Sequence, residues 1–338
     1  MILRGATSRG FTCSGVRASN AVDVAPRDYL SPLVASVSSS TGGAGVSPSM
    51  AVIFDFTSAG VSYTSKTSTA LTAKNNATWI IEGVNVGINP GVVALSGNKT
   101  LRFIADPPAC LTAFNCNTNT LSGSFPEINN CVNLTTFDVG VNSITGSVCS
   151  LLLLTSLQNF ACSSNAGLGG AFPSLANCAA LLTLSCRSCA FTGSPPSIAA
   201  NPLVTSVDFA LNAFTGSIPA FGANTALTTY NCRTCTTISG NIPSLSGCTS
   251  LASFFAYDNA LTGVVGGFAV PATLTDFEAQ NNLLTQAAVD AILAAFVTAG
   301  ASGAYILNVG GTGNAAPSAG GATSKTTLQG RGWTVTTN

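Results

Sequence analysis

The chain has 338 residues, with 12 Lys or Arg, 12 Asp or Glu and no His, so its formal net charge is zero and charged residues make up only 7%. That balance excludes electrostatic capture of nucleic acid or anionic lipid, and the missing imidazole excludes every triad or proton shuttle that depends on it. The longest aliphatic run, Leu151 to Leu154, is far short of the roughly 20 apolar residues that cross a bilayer, so no membrane insertion is expected.

Residues 1–50 are rich in Ser, Gly, Ala and Pro, and Ser38 to Gly45 is nearly devoid of side-chain bulk. An extended arm that anchors on a partner is expected there. Arg4, Arg9 and Arg17 are not followed by the apolar core of a secretory signal, so no export signal is read. Within 51–110, the runs Ala51 to Phe56 and Thr78 to Ile81 lie between Gly, Asn and Lys-Thr turns and predict a β-rich N-terminal cap.

From Leu111 the chain repeats every 23 or 24 residues, with units starting at Leu111, Leu134, Leu157, Leu181, Val204, Leu227, Leu251 and Leu274. Three residues into each unit stands a large side chain: Phe114, Phe137, Phe160, Leu184, Val207, Tyr230, Phe254 and Phe277. Two further on comes a smaller one: Cys116, Val139, Cys162, Cys186, Phe209, Cys232, Ala256 and Ala279. Period two predicts a short strand with one face buried. Asn119, Asn142, Asn165, Asn212, Asn259 and Asn282 then recur at one position, where two units carry Cys189 and Cys235. An amide repeated at a fixed bend can satisfy the backbone of adjacent turns, which predicts an internal ladder.

After the Asn come an apolar residue, Ser or Thr, Gly and often an apolar-Pro pair. The pattern resembles the leucine-rich repeat in its plant-type subclass, whose L-x-G-x-I-P signature is read here as LSGSFP from Leu121 to Pro126 and FTGSIP from Phe214 to Pro219. The resemblance covers 111–284. It implies a mainly β, right-handed solenoid with a parallel sheet on its concave face and extended or 3₁₀ segments opposite. At about 4.8 Å per stacked strand, the eight units would span roughly 35 to 40 Å. Irregularity is expected at Ser194-Pro195-Pro196 in the fourth unit and at Cys149, which stands at the proline position of the second.

Residues 285–338 read as a small α/β C-terminal cap. Thr285 can cap a helix to about Ala299 with Val289, Ile292, Leu293 and Phe296 on one face, and Gly300 ends it. A strand from Tyr305 to Val309, a short helix near Lys325 to Gln329 and a strand from Trp333 to Val335 follow.

Two CxxC pairs, Cys186 with Cys189 and Cys232 with Cys235, have the spacing of zinc ligands. The repeat register argues otherwise. It places Cys186 and Cys232 inward with Cys116 and Cys162, and puts Cys189 and Cys235 at the ladder position. All six are read as buried structural thiols, with no metal and no cofactor. Cys131, Cys178 and Cys248 recur at another core position. Cys110 to Cys131 is the first candidate for a disulfide, and Cys13 is free or pairs with another chain.

The concave face offers Asn115, Asp138, Asn159, Arg187, Asp208, Asn231, Arg233, Tyr257 and Glu278 as candidate ligand-binding residues, with Thr112, Thr135, Thr205 and Thr228 beside them. Hydroxyls, amides, an aromatic ring and spaced guanidinium groups suit a glycan or an extended protein. No catalytic residue is assigned: Asp138 and Asp208 would stand about 14 Å apart, beyond the roughly 5 to 9.5 Å of glycosidase pairs. Asp276 and Glu278 are closer and are read as a solvated face. Asn76, Asn98 and Asn133 head glycosylation sequons, taken as chance matches without an export signal.

An extracellular style of composition without a signal fits a virion protein, and the ending GRGWTVTTN resembles those of bacteriophage appendage proteins. That resemblance implies a non-enzymatic capsid decoration or tail-fibre component, a homo-oligomer held to other virion proteins through its N-terminal region. The array would face a host surface glycan or protein. A cell-surface adhesin or receptor-like repeat protein is the alternative, and a polysaccharide-acting enzyme is the least favoured reading.

Overall fold

The computed structural model describes residues 111–119 and 121–338, together with the backbone of β1 (Val52–Ser58), β2 (Ala77–Ile81), β3 (Val84–Ile88) and β4 (Lys99–Ala105). The arm expected over 1–50, Cys13, Cys110, Asn76 and Asn98 lie outside the described residues, and Cys131 carries a free thiol.

Each repeat contributes a three-residue strand and, after a bend, a second short segment. In chain order these are β5 (Ala113–Asn115) and β6 (Leu121–Ser124), β7 (Thr136–Asp138) and β8 (Ser143–Gly146), β9 (Asn159–Ala161) and β10 (Gly167–Ala171). Next come β11 (Thr183–Ser185) and β12 (Ala190–Thr192), β13 (Ser206–Asp208) and β14 (Thr215–Gly216), β15 (Thr229–Asn231) and β16 (Thr237–Ile242), β17 (Ser253–Phe255) and β18 (Ala260–Val264). The eighth unit pairs β19 (Asp276–Glu278) with helix α1 (Gln286–Ala299), and β20 (Ile306–Asn308), helix α2 (Ala319–Gly330) and β21 (Thr334–Thr336) follow.

The first strands of all units stack in parallel, residue on residue, into a ten-stranded sheet that runs from β5 to β21. The tail therefore adds two further solenoid turns. At about 4.8 Å per strand the ten extend over roughly 43 Å, longer than eight units alone. The last turns lengthen because the spacing grows from Phe277 to Leu307 and Val335, which pair in register, and the extra residues coil into helices instead of running extended.

On the other side, β6, β8, β10 and β12 form a parallel sheet, and β1 extends it antiparallel through Thr57 opposite Ser122. β4, β2 and β3 continue outward from β1. This sheet divides from the β14-β16-β18 sheet next to Ser194-Pro195-Pro196, although Ala213 N still donates to Phe191 O at 2.9 Å and Thr215 N to Gly193 O at 2.8 Å. At Cys149 no division occurs, since β8 pairs with both neighbours.

The bend of each of the eight repeat units contains a non-glycine residue in the left-handed region: Thr118, Val141, Ser164, Ser188, Leu211, Thr234, Asp258 and Asn281, with φ between 52° and 58°. Such a conformation costs about 1 to 2 kcal/mol per residue, so an interaction that recurs in every turn must offset it. The residue that follows supplies it. Asn165, fully buried, donates through Nδ2 to Cys162 O of its own turn at 2.8 Å and to Val139 O of the turn before at 3.0 Å. Its Oδ1 accepts from Ile144 N at 2.9 Å. Asn142, Asn212 and Asn282 make the same set of bonds, Asn259 makes both donations but accepts from Cys235 N at 3.1 Å, and Asn119 of the first described turn donates to Asn117 O at 2.8 Å.

Where the amide is replaced, the thiol keeps the donation. Cys189 S–H points to Cys162 O at 3.2 Å and Cys235 S–H to Phe209 O at 3.4 Å. A thiol lacks the carbonyl oxygen, and in the turn before Cys189 the Leu168 N–H turns to Asn165 O at 2.9 Å. The ladder continues into the tail through Asn314, whose Oδ1 accepts from Leu284 N at 3.0 Å and whose Nδ2 reaches Ala279 O at 2.9 Å. The loop Gly310 to Gly313 displaces it from the 23-residue count, so the spacing alone did not reveal it.

A second ladder occupies the late core position of Cys131, Cys178 and Cys248, where Asn201 and Asn224 are fully buried. Asn224 Nδ2 donates to Ile198 O at 3.0 Å and Asn201 O at 2.9 Å. Between the ladders runs an aromatic spine: Phe114, Phe137 and Phe160 stack at 5.6 and 5.7 Å, and Tyr230, Phe254 and Phe277 at 5.8 and 5.4 Å. Leu184 and Val207 interrupt it, and Phe172, Phe191 and Phe214 of the second side fill the space together with Phe209, which follows β13.

Helix α1 begins at Thr285, whose side chain accepts from Ala288 N, and ends at Gly300 with φ 80°. Its buried face puts Phe296 5.4 Å from Phe277 and 5.2 Å from Trp333, carrying the spine into the tail. Helix α2 starts earlier than sequence suggested, at the Ser318 cap, because Gly320 and Gly321 look like loop residues. Glycine at 321 is a packing requirement: a Cβ there would collide with Asp290 Oδ1.

Asn282→Ala removes one buried acceptor and a donor shared among three carbonyls, and is expected to cost about 3 kcal/mol. Asn282→Cys keeps the donation and should cost clearly less. Urea unfolding with an unchanged m-value measures both, and equal losses would refute the thiol's place in the ladder.

Candidate functional site

Strand alternation on the ten-stranded sheet turns the first and third residues of each strand outward, and the fifth residue follows at the bend. Neighbours in one column stand a turn apart, about 4.8 Å. The third-position column holds Asn115, Asp138, Asp208, Asn231 and Glu278, the fifth holds Arg187, Arg233 and Tyr257, and Asn159 lies in the first.

Several of these side chains are fixed by the backbone. Asn115, Asp138, Asp208 and Asn231 each accept through Oδ1 from the N–H two residues later, at 3.0, 2.9, 3.0 and 3.3 Å. These Asx turns close the strand ends and leave little rotamer freedom. Asn308 does the same to Gly310 N at 3.2 Å and was missed because its strand was assigned to a separate cap. Asp138 also accepts from Asn117 Nδ2 at 3.1 and 3.2 Å, and Asn159 Oδ1 accepts from Thr183 Oγ1 at 2.7 Å.

Three positions differ from expectation. Asn231 is buried instead of facing outward. The hydroxyls of Thr135, Thr205 and Thr228 donate to Thr112 O, Leu182 O and Thr205 O at 2.8, 3.0 and 2.8 Å, so they staple adjacent turns rather than offer their protons to a ligand. Cys189 is half-buried, whereas Cys116, Cys162, Cys186, Cys232 and Cys235 are fully buried.

The structure brings Arg187, Asp208, Arg233 and Tyr257 together on four consecutive turns. Arg233 lies over the Tyr257 ring with its guanidinium carbon 5.4 Å from the centroid, a cation–π contact that orients it. Asp208 sits on the turn between the two arginines. Burial pushes its carboxyl above the usual range, and the pull of the Ala210 N–H, Arg187 and Arg233 does not cancel that. Between the arginines in their own column stands Ala210, small and fully buried, so no long side chain of that column separates the two positive groups.

A second cluster lies on β19. Asp276 is pushed up by burial and then by repulsion from Glu278. Asp276 Oδ1 and Gln280 Oε1 are buried without a hydrogen-bond partner, while Gln280 Nε2 donates to Glu278 Oε2 at 2.8 Å. Sequence reading took this as a solvated face. The structure shows instead a partly desolvated set of acceptors, a distinction that depends on the neighbouring turns.

The core thiols are all driven toward the protonated form. Burial is the main cause at Cys116, Cys162, Cys186 and Cys232, and it lifts Cys235 to about 11. At Cys189 the contact with Cys162 acts first and burial second.

No protein-family model and no curated protein sequence matches the chain. Among solved structures it is similar to PEPR1–AtPEP1, with a TM-score of 0.50 and 21% identity over 62% of this chain and 30% of that one. It is also similar to the plant peptide hormone receptor RGFR1 in complex with RGF2 (TM-score 0.47, 23% identity, 68% of this chain and 39% of that one). The functional domain of InlJ from Listeria monocytogenes, described as including a cysteine ladder, gives a TM-score of 0.40 at 18% identity over 61% of this chain and 50% of that one. The chain thus spans half or less of the length of these neighbours. The likeness to PEPR1–AtPEP1 shows a shared fold, that of the leucine-rich-repeat solenoid.

The folded pKa of Asp208 lies above its unfolded value, so the unfolded state releases its proton first and stability falls as pH rises through the carboxylate range. Asp208→Asn is therefore expected to be more stable than the parent at pH 7 and equal to it at pH 3, by urea midpoints at the two pH values. Iodoacetamide at pH 8, followed by peptide mapping, should leave Cys116, Cys162, Cys186 and Cys232 unmodified in the native protein and label them in urea. Native labelling of Cys162 would contradict its place in the core.

Proposed function

We propose that this chain is a non-enzymatic binding module of the receptor-like leucine-rich-repeat kind, which holds an extended polypeptide across its ten-stranded face. The observation that carries the reading is the Arg187–Asp208–Arg233–Tyr257 cluster. It combines spaced cations, an oriented aromatic ring and backbone-fixed neighbours on a rigid sheet, so little ordering entropy opposes binding. Asn115, Asp138 and Glu278 extend the surface along the Asp208 column, with Asn159 in the first-position column beside it. The fold shared with PEPR1, solved with AtPEP1, supports a binding role by analogy.

The plant-type repeat subclass is part of the same proposal. Its support is the column of Gly146, Gly170, Gly193, Gly216 and Gly240, which carry φ between 73° and 87° in the segment after the ladder, where the signature needs glycine.

Of the two settings expected from sequence, we adopt the cell surface. The virion reading leaned on composition and on the ending GRGWTVTTN, and those last residues have a packing role: Trp333 lies 5.2 Å from Phe296 and 5.1 Å from Tyr305 and donates to Ala301 O at 3.1 Å. That packing is the same in either setting.

Displayed random 12-residue peptides, selected on the immobilised protein, should enrich binders that weaken at least tenfold on the Arg233→Ala, Tyr257→Ala double variant. The same variant should keep its thermal midpoint. Peptides that bind parent and variant equally would sink the assignment to this face, and a neutral oligosaccharide that binds where peptides do not would replace the ligand class.

A further inference from the structure

The charges of the repeat array are not scattered. Between 111 and 284 the charged residues are Glu127, Asp138, Arg187, Asp208, Arg233, Asp258, Asp276 and Glu278, and all but Glu127 lie on the ten-stranded sheet or its bend. Arg187 and Arg233 follow β11 and β15 with Asp208 on β13 between them, while Asp276 and Glu278 share β19.

Arg187 stands one turn before Ala210 and Arg233 one turn after it. Asp208 offsets one of the two positive charges, which leaves the group of three side chains cationic. Three turns along stands β19 with Asp276, Glu278 and Gln280. Its Asp276 Oδ1 and Gln280 Oε1 have no donor within the chain, although a buried acceptor ordinarily has one. Two carboxylates and an amide oxygen are suited to an ammonium or guanidinium group, which brings several N–H donors at once.

Three turns at about 4.8 Å make roughly 14 Å, and an extended chain rises about 3.4 Å per residue, so the two clusters lie about four residues apart on a ligand that crosses the strands. In an extended chain, residues four apart point to the same side. We infer that the ten-stranded face selects an extended peptide in which an acidic side chain and a basic one stand about four residues apart, the acid between Arg187 and Arg233 and the base on Asp276, Glu278 and Gln280. Tyr257, between the clusters, packs the intervening residues. This inference rests on the polypeptide-binding reading above and names the sequence feature recognised. A neutral glycan has neither charge.

The test is the same peptide selection, read for spacing. Enriched sequences should carry Asp or Glu and Lys or Arg separated by three to five positions. For one synthesised binder, replacing its acid by Ala should weaken binding to the parent about tenfold and cause no further loss on Arg187→Ala, Arg233→Ala. Replacing its base should likewise cause no further loss on Asp276→Asn, Glu278→Gln. Circular dichroism melts confirm that both variants fold. Binders that Tyr257→Ala abolishes but that show no charge spacing, or cycles in which the losses simply add, would overturn this inference and leave the binding reading standing. Failure to enrich any peptide on this face would overturn both.

Discussion

The structure depends on the buried amide that crosses from one turn to the next. A solenoid must bend its backbone sharply in every repeat, and each bend buries carbonyl and N–H groups that neither strand can pair. One asparagine per turn meets both needs, since its Nδ2 serves carbonyls of two turns and its Oδ1 takes an N–H of the preceding one. The left-handed residue just before it is tolerated because this net of bonds over-determines the bend. A thiol can occupy the position where donation alone suffices, which explains why two cysteine pairs with metal-like spacing belong to the framework.

The same register governs the usable surface. With the bends held, each strand presents its outward residues at fixed positions, and Asx turns lock the third-position side chains to the backbone. Threonine hydroxyls that would otherwise face a ligand are drawn into cross-turn bonds. What remains free to act is a small set of long or charged side chains. Their placement on one sheet puts two arginines around β13 and two acids together on β19.

Much of this was legible because a 23-residue period leaves so little freedom. The inward positions, the ladder column and the α1 caps at Thr285 and Gly300 all follow from residue type at a fixed spacing. Where spacing changes, legibility stops. Asn308 and Asn314 perform the repeat's roles in a turn whose loop is longer, and the tail reads as a separate cap until its strands are seen to pair with β19. Asn201 and Asn224 share a column with cysteines and a leucine, a mixture that suggests packing and conceals a second hydrogen-bond ladder.

By itself the sequence determined that the chain stacks as a parallel solenoid, which face is buried, and that its CxxC pairs are framework, because periodicity assigns each residue to an inward or outward place. Only the tertiary structure decided how many turns stack, which outward groups are already spent on neighbours, and which acids lose their water. Those properties are set by contacts between turns 21 to 35 residues apart in the chain. A hydroxyl or carboxylate looks the same in sequence whether the next turn holds it, buries it or leaves it to a partner.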